Sequence, residues 1–141
     1  MLFKGRKIYQ GEAQGEALAT SMGISFFGGV DPETGVVVEK GHQLQGQSIS
    51  GKVLVFPFSI GSLAGGVSLL EAIVQGVGPK AIVNNNTDGV LLAAPVFARV
   101  FYDIEVPVVD SLDQDPSSVI KNGDFLVVDG NRGLVEVTRK G

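Results

Sequence analysis

Lys52-Val53-Leu54-Val55-Phe56, then Leu63, Val67, Leu70 and Val74, then Gly76-Val77-Gly78-Pro79 and Lys80-Ala81-Ile82-Val83-Asn84, form the stretch that decides the fold. Its two flanking runs are nearly continuous apolar segments, the pattern of strands buried on both faces. Between them the apolar residues recur at helical spacing, and the glycines with Pro79 bring the helix to a stop. Strand, helix and strand over this length make a right-handed crossover, which builds a parallel sheet. Downstream, Val90 to Tyr102 is a second apolar segment expected to cover that sheet, with Pro95 either starting a helix or kinking one. Val106-Pro107-Val108-Val109 reads as a third short strand. Asp124 to Asp129 and Leu134 to Val137 flank Gly130-Asn131-Arg132-Gly133 as a closing hairpin.

Upstream of Lys52 the rhythm is different. Glycines recur at Gly5, Gly11, Gly15, Gly23, Gly28, Gly29, Gly35, Gly41, Gly46 and Gly51. They separate short runs such as Ile24-Ser25-Phe26-Phe27 and Val36-Val37-Val38-Glu39, which predict short strands and hairpins. Asp31-Pro32-Glu33-Thr34-Gly35 is a turn in which proline presets one position and glycine supplies positive φ. No repeat and no low-complexity linker interrupts the chain. One α/β domain is expected over residues 1–141, with a β-rich N-terminal half and a small parallel sheet flanked by helices.

Composition narrows the chemistry. Of the 141 residues, 44% are apolar and 18% charged, the latter below the roughly 25% usual for soluble domains. So apolar a surface suits a chain partly covered by another, although an ordinary compact domain with a large core has the same composition. A net charge of −4 and the lack of any Lys/Arg run argue against nucleic acid or a membrane surface as partner. Met1-Leu2-Phe3-Lys4-Gly5-Arg6-Lys7 lacks the apolar core of a secretory signal. The run Val90 to Ala98 is too short to span a bilayer, so a cytoplasmic location is expected. There is no cysteine, which excludes disulfides, a thiol nucleophile and thiolate-bound metal in this chain. The single histidine, His42, cannot make a histidine metal site or triad unless a partner supplies the remainder.

Ligands of open α/β sheets sit beyond the carboxyl ends of the parallel strands. Three loops are expected there: Pro57 to Gly66, Asn84 to Gly89, and Asp110 to Asp113. The first, Phe56-Pro57-Phe58-Ser59-Ile60-Gly61-Ser62-Leu63-Ala64-Gly65-Gly66, is a glycine-rich loop opening a helix, and free N–H groups with a positive dipole end favour an anion. Ser62 can be the helix N-cap or a chemical group. The loop has neither the Gly-Lys-Ser/Thr ending of a P-loop nor the spacing of a nucleophile elbow. Asn84-Asn85-Asn86 is either a plain turn or a set of amide contacts to substrate. Asp31 is either a turn-former or a ligand.

Phe26-Phe27-Gly28-Gly29-Val30-Asp31-Pro32-Glu33-Thr34-Gly35 resembles the signature of the small subunit of aconitase X-type dehydratases. The run Gly46 to Val55, the Gly61-Ser62 loop, Gly78-Pro79-Lys80-Ala81-Ile82 and the Asp129-Gly130 hairpin agree with it, so the resemblance covers nearly the whole chain. It implies a swivelling β/β/α fold and a heterodimer with a large subunit that carries a 4Fe–4S cluster; no cofactor or metal is expected in this chain. It further implies removal of water from a phosphorylated hydroxy acid, (R)-5-phosphomevalonate, to give trans-anhydromevalonate 5-phosphate. The cluster iron would act there as a Lewis acid on the departing hydroxyl. Ser62 stands at the place of the family's catalytic serine; the loops themselves offer the backbone of Gly61, Leu63 and Ala64, and Asn84 and Asn86, as candidate substrate contacts. The family's loop usually carries basic residues before the serine; here Phe58, Ser59 and Ile60 stand there. Arg99 or Arg132 could compensate, or each could lie on a solvated face. That difference keeps open a dehydratase for another hydroxy acid, such as a hydroxyproline, and a non-catalytic swivel-domain binding protein. The phosphohistidine swivelling domains close on a similar pattern, but they need a histidine where this chain has Leu63.

Overall fold

The structure, a computed structural model, describes residues 1–139; Lys140 and Gly141 of the expected 1–141 unit lie outside the described residues. Its elements in chain order are β1 (Leu2–Lys4), β2 (Arg6–Tyr9), β3 (Glu12–Ala19), α1 (Phe26–Gly29), β4 (Val53–Phe56) and α2 (Leu63–Val74). They continue with β5 (Ala81–Asn84), α3 (Gly89–Tyr102), β6 (Val108–Asp110), α4 (Pro116–Val119), β7 (Phe125–Asp129) and β8 (Leu134–Thr138). The strands form one sheet in the order β1-β8-β7-β3-β4-β5-β6-β2. Strands β3, β4, β5 and β6 run parallel, and β3 also pairs antiparallel with β7.

The parallel centre follows from the two apolar runs. Along β4, Leu54 and Phe56 enter the core beneath the helices, while Val53 and Val55 enter a second core on the opposite face. A strand buried on both sides has no polar alternation to show, which is why Lys52 to Phe56 reads as a solid run. Both crossovers step the same way along the sheet, from β4 to β5 and from β5 to β6. Right-handed connections in one direction put both helices on one face, and α2 and α3 share the first core through Leu69, Ile73, Leu91, Ala94 and Ala98. The opposite face is closed by Phe3, Ile120, Leu126, Val128, Val135 and Val137.

Three details depart from the sequence expectations. Ile24–Phe27 and Val36–Glu39 are not strands: only the isolated pairs Ile24↔Ser59, Val30↔Val37 and Val36↔Ser48 occur there, and α1 is a single turn with non-helical Phe27 and Gly28. Glycines at positive φ, among them Gly28, Gly35 and Gly46, cut this segment into pieces too short for a ladder. The strand expected from Val106 begins later, at Val108, since Pro107 has no N–H to donate and contributes only its carbonyl, to Ile82. Finally, the spacing that reveals α2 is not its buried face. Leu63 and Val67 are 68% and 60% exposed, whereas Leu69, Ala72 and Ile73 are buried. Helix α3 covers the sheet as expected, with Pro95 inside it rather than at its start.

Candidate functional site

The three loops at the carboxyl ends of β4, β5 and β6 meet and bind one another. Asn85 and Asn86 donate their backbone N–H groups to the Pro57 carbonyl at 3.0 and 3.1 Å. Ser111 donates its N–H to the Asn84 carbonyl at 3.3 Å and its hydroxyl to that of Asn85 at 3.3 Å. The loop before Ser62 is also held from the front segment, where Ile60 donates to Ile24 at 2.8 Å and Ile24 to Phe58 at 3.2 Å.

Asp88 ties this loop to the second helix. One carboxylate oxygen caps α3 by accepting from the Leu91 N–H at 2.7 Å, and the other accepts from the Ser59 hydroxyl at 3.1 Å. Gly66 lets the starts of α2 and α3 touch, since a Cβ there would stand 2.6 Å from the Val90 carbonyl oxygen. Between these anchors the chain turns at Gly61, whose φ of +112° requires a residue without a Cβ.

Ser62 follows, extended in backbone and exposed, as the N-cap residue of α2. Its hydroxyl makes no capping hydrogen bond. The position is therefore a cap by backbone alone, and among the described residues the hydroxyl has no hydrogen-bond partner. Leu63 and Ala64 begin the helix beside it, and first-turn N–H groups have no acceptor within their own helix. Ser62 thus sits at the positive end of a twelve-residue helix with an unengaged oxygen.

The asparagines behave differently. Asn84 is fully buried; its amide donates to the Phe56 carbonyl at 2.9 Å and its oxygen accepts from the Thr87 hydroxyl at 3.3 Å. Those bonds make it a brace between β4 and the second loop. Asn86 is exposed in that loop. Asp31 forms its turn, accepting from the Glu33 N–H at 2.9 Å. Arg99 pairs with Asp103 at 2.9 Å and Arg132 with Asp129 at 2.7 Å, so both guanidinium groups are occupied. His42 is buried; Nδ1 accepts from the Leu44 N–H, and Nε2 lies 3.0 Å from the Gly23 carbonyl.

Asp110 opens the third of the expected loops, but nothing near it in the sequence marks its partner. Asp110, buried at the end of β6, accepts from Arg6 Nε and Nη2 at 2.8 and 2.9 Å and from the Thr87 N–H at 3.0 Å. Burial alone would push its carboxyl up, but the bonds from Arg6, Thr87 and Ser111 and the charge of Arg6 outweigh that and hold it below the usual carboxylate range. Its partner lies 104 residues away in the chain, which no spacing argument reaches. Asp88, by contrast, was readable as an acidic residue directly before a helical pattern.

Among the described residues no group of three or more His, Cys, Asp or Glu could hold a metal ion. With no cysteine in the sequence, the donors of an iron–sulfur cluster are not in this chain. No helix among the described residues is long and apolar enough to cross a membrane.

Comparison with known proteins gives the family and the fold. The family model for the aconitase X swivel domain matches residues 2–137. The phosphomevalonate dehydratase small subunit of Methanosarcina mazei is 41% identical over 139 residues, covering 99% of this chain and 92% of the relative. That of Archaeoglobus fulgidus is 40% identical over 137 residues, covering 97% and 98%. The crystal structure of Thermococcus kodakaraensis aconitase X in its holo form matches with a TM-score of 0.88 at 37% identity, over 99% of each chain. From the Phe26–Gly35 signature to the closing hairpin, the chain belongs to the aconitase X swivel-domain family.

Proposed function

We propose that this chain is the small subunit of a hydro-lyase that dehydrates (R)-5-phosphomevalonate to trans-anhydromevalonate 5-phosphate, active as a heterodimer with an aconitase X-type large subunit. The observation that carries the proposal is the unengaged Ser62 hydroxyl at the N-terminus of α2, at the end of the first of the three loops. The reading of the substrate rests on the relatives at about 40% identity along nearly their whole length.

In this reaction the C–H bond beside the carboxylate breaks and its proton passes to the Ser62 oxygen. The carbon–oxygen bond at the neighbouring carbon breaks as well and a carbon–carbon double bond forms; the departing hydroxide takes up a proton, the equivalent of the one Ser62 gave up beforehand to the partner or solvent, and leaves as water. Ser62 must first lose its own proton. A helix N-terminus supplies about 1–2 kcal/mol toward an alkoxide, about one pKa unit, and a hydroxyl ionises far above neutral pH. The remaining positive potential comes from the partner, which also supplies the cluster that this chain has no donors to hold. The N–H groups of Leu63 and Ala64 face the developing charge, and Gly61 gives the backbone room to approach the substrate.

One observation supports a second reading within the same chemistry. Phe58 and Ile60, two of the three residues before Gly61, are apolar and about half exposed, and Arg99 and Arg132 are paired elsewhere. A hydroxy acid with less negative charge than phosphomevalonate suits such a rim. Anaerobic turnover by the assembled, cluster-loaded complex separates the two. Phosphomevalonate consumed with formation of its anhydro product supports the first. No turnover of phosphomevalonate beside turnover of a non-phosphorylated hydroxy acid sinks it in favour of the second.

A further inference from the structure

Leu63 and Val67, on the exposed stripe of α2, belong to neither core. Leu63 and Val67 line one wall of a groove of about 730 Å³, and Phe27 and Val38, 68% and 48% exposed, line the other. The groove is built rather than incidental: the Ser68 hydroxyl on α2 donates to the Phe26 carbonyl at 3.1 Å and fixes α1 against the helix. Val67 and Glu71 also line a second depression of about 430 Å³ that reaches Tyr102. An apolar groove of this size, left open to water, marks a contact surface.

Its charge is one-sided. The charged residues lining it are Asp31 and Glu71, and neither has an ion pair among the described residues. The Asp31 carboxylate is set in place by its turn, with one oxygen on the Glu33 N–H. Among the described residues the Glu71 carboxylate meets only the Gln75 amide, at 3.4 Å. A long, otherwise apolar groove with two unneutralised carboxylates complements an apolar segment that carries a cation. Its wall begins at Leu63, the residue after Ser62.

We infer that this groove is the seat of the large subunit, and that the segment entering it is apolar and bears an arginine or lysine against Asp31 and Glu71. The inference rests on the two-subunit reading above and adds the face, the register on α2 and the chemistry of the contact. A second copy of this chain, whose Lys4, Lys7, Lys40, Lys80 and Lys121 have no ion pair among the described residues, is the other possible occupant, and self-association is therefore read out in the test.

The test is calorimetric titration of the whole chain with the purified aconitase X-type large subunit at low and high salt, with no substrate present. Wild type is expected to bind one to one and to weaken as salt rises. Val67→Asp, at an exposed position that leaves the fold intact by circular dichroism, is expected to lose at least about tenfold in affinity. Glu71→Gln is expected to lose about three- to tenfold at low salt and to flatten the salt dependence. Glu136→Gln, on β8, is expected to bind like wild type. Unchanged affinity in both groove variants overturns the inference. So does a chain that ignores the large subunit but self-associates in a way Val67→Asp abolishes. Tight, groove-dependent binding without phosphomevalonate turnover supports the docking face while removing the substrate assignment, so the two readings fail separately.

Discussion

Ser62 occupies the N-cap of α2 without using its hydroxyl to cap it. Replacing a serine that caps through its side chain costs about 1 kcal/mol. Ser62→Ala is therefore expected to change stability by less than about 0.5 kcal/mol in urea denaturation; a loss near 1 kcal/mol would return the residue to a structural role. Asp110 makes the opposite case, a buried carboxylate whose bonds are all made. Its ionisation lies below the ordinary range in the fold, so the unfolded chain takes up protons first as pH falls. The stability it contributes is present above the unfolded value of about 3.9 and is lost as pH drops through the lower folded value. Asp110→Asn is expected to be less stable at neutral pH and to show a shallower loss of stability as pH falls below about 4, read as urea midpoints over the acid range. At this scale the sequence was only partly legible. Gly61-Ser62 stood out because a glycine-rich loop before a helical pattern has a local meaning, whereas Asp110 depends on Arg6 and Thr87 from other elements. Asn84 was read for its polarity, and its bonds to Phe56 and Thr87 show the amide turned into the fold.

Helices α2 and α3 and the loops before them work as one clamp. Asp88 both caps α3 and receives Ser59, so Asp88→Ala is expected to cost about 1 kcal/mol and to speed amide exchange through Ser59 to Ser62; protection unchanged at those amides would break the link. Gly66→Ala places a Cβ 2.6 Å from the Val90 carbonyl oxygen. It is expected to push the helix starts apart at a cost of about 1–3 kcal/mol, checked by thermal melting. The elements themselves were legible wherever apolar periodicity was strong: β4, α2, β5, α3 and the closing hairpin all lie where the pattern puts them. The front segment was not, because Ile24–Phe27 and Val36–Glu39 have strand-like composition but are broken by glycines at positive φ and satisfied by turns. The stripe on α2 identified a helix correctly while saying nothing about which side is buried, since that helix is apolar on two sides.

Across the whole molecule the sheet separates two cores, and the candidate site lies at one end of its parallel centre. Phe56 joins the first core to that end: it is buried, packs edge-on against Phe26 at 5.7 Å, and its carbonyl accepts from Asn84. Phe56→Ala is expected to cost about 3–5 kcal/mol, a large share of the about 5–15 kcal/mol that holds a domain folded. The chemistry assigned to Ser62 needs more positive potential than a helix end provides, and this chain has no donors for a cluster, so the account stands or falls on the assembled complex. The decisive measurement is anaerobic dehydration of phosphomevalonate by that complex, with wild type and Ser62→Ala compared at equal subunit assembly and equal cluster content. We expect turnover that requires both subunits and falls by at least about a thousandfold in Ser62→Ala, on the scale seen when an essential catalytic group is removed. Turnover by the Ser62→Ala complex within a few-fold of wild type would contradict the assignment of Ser62 as the base.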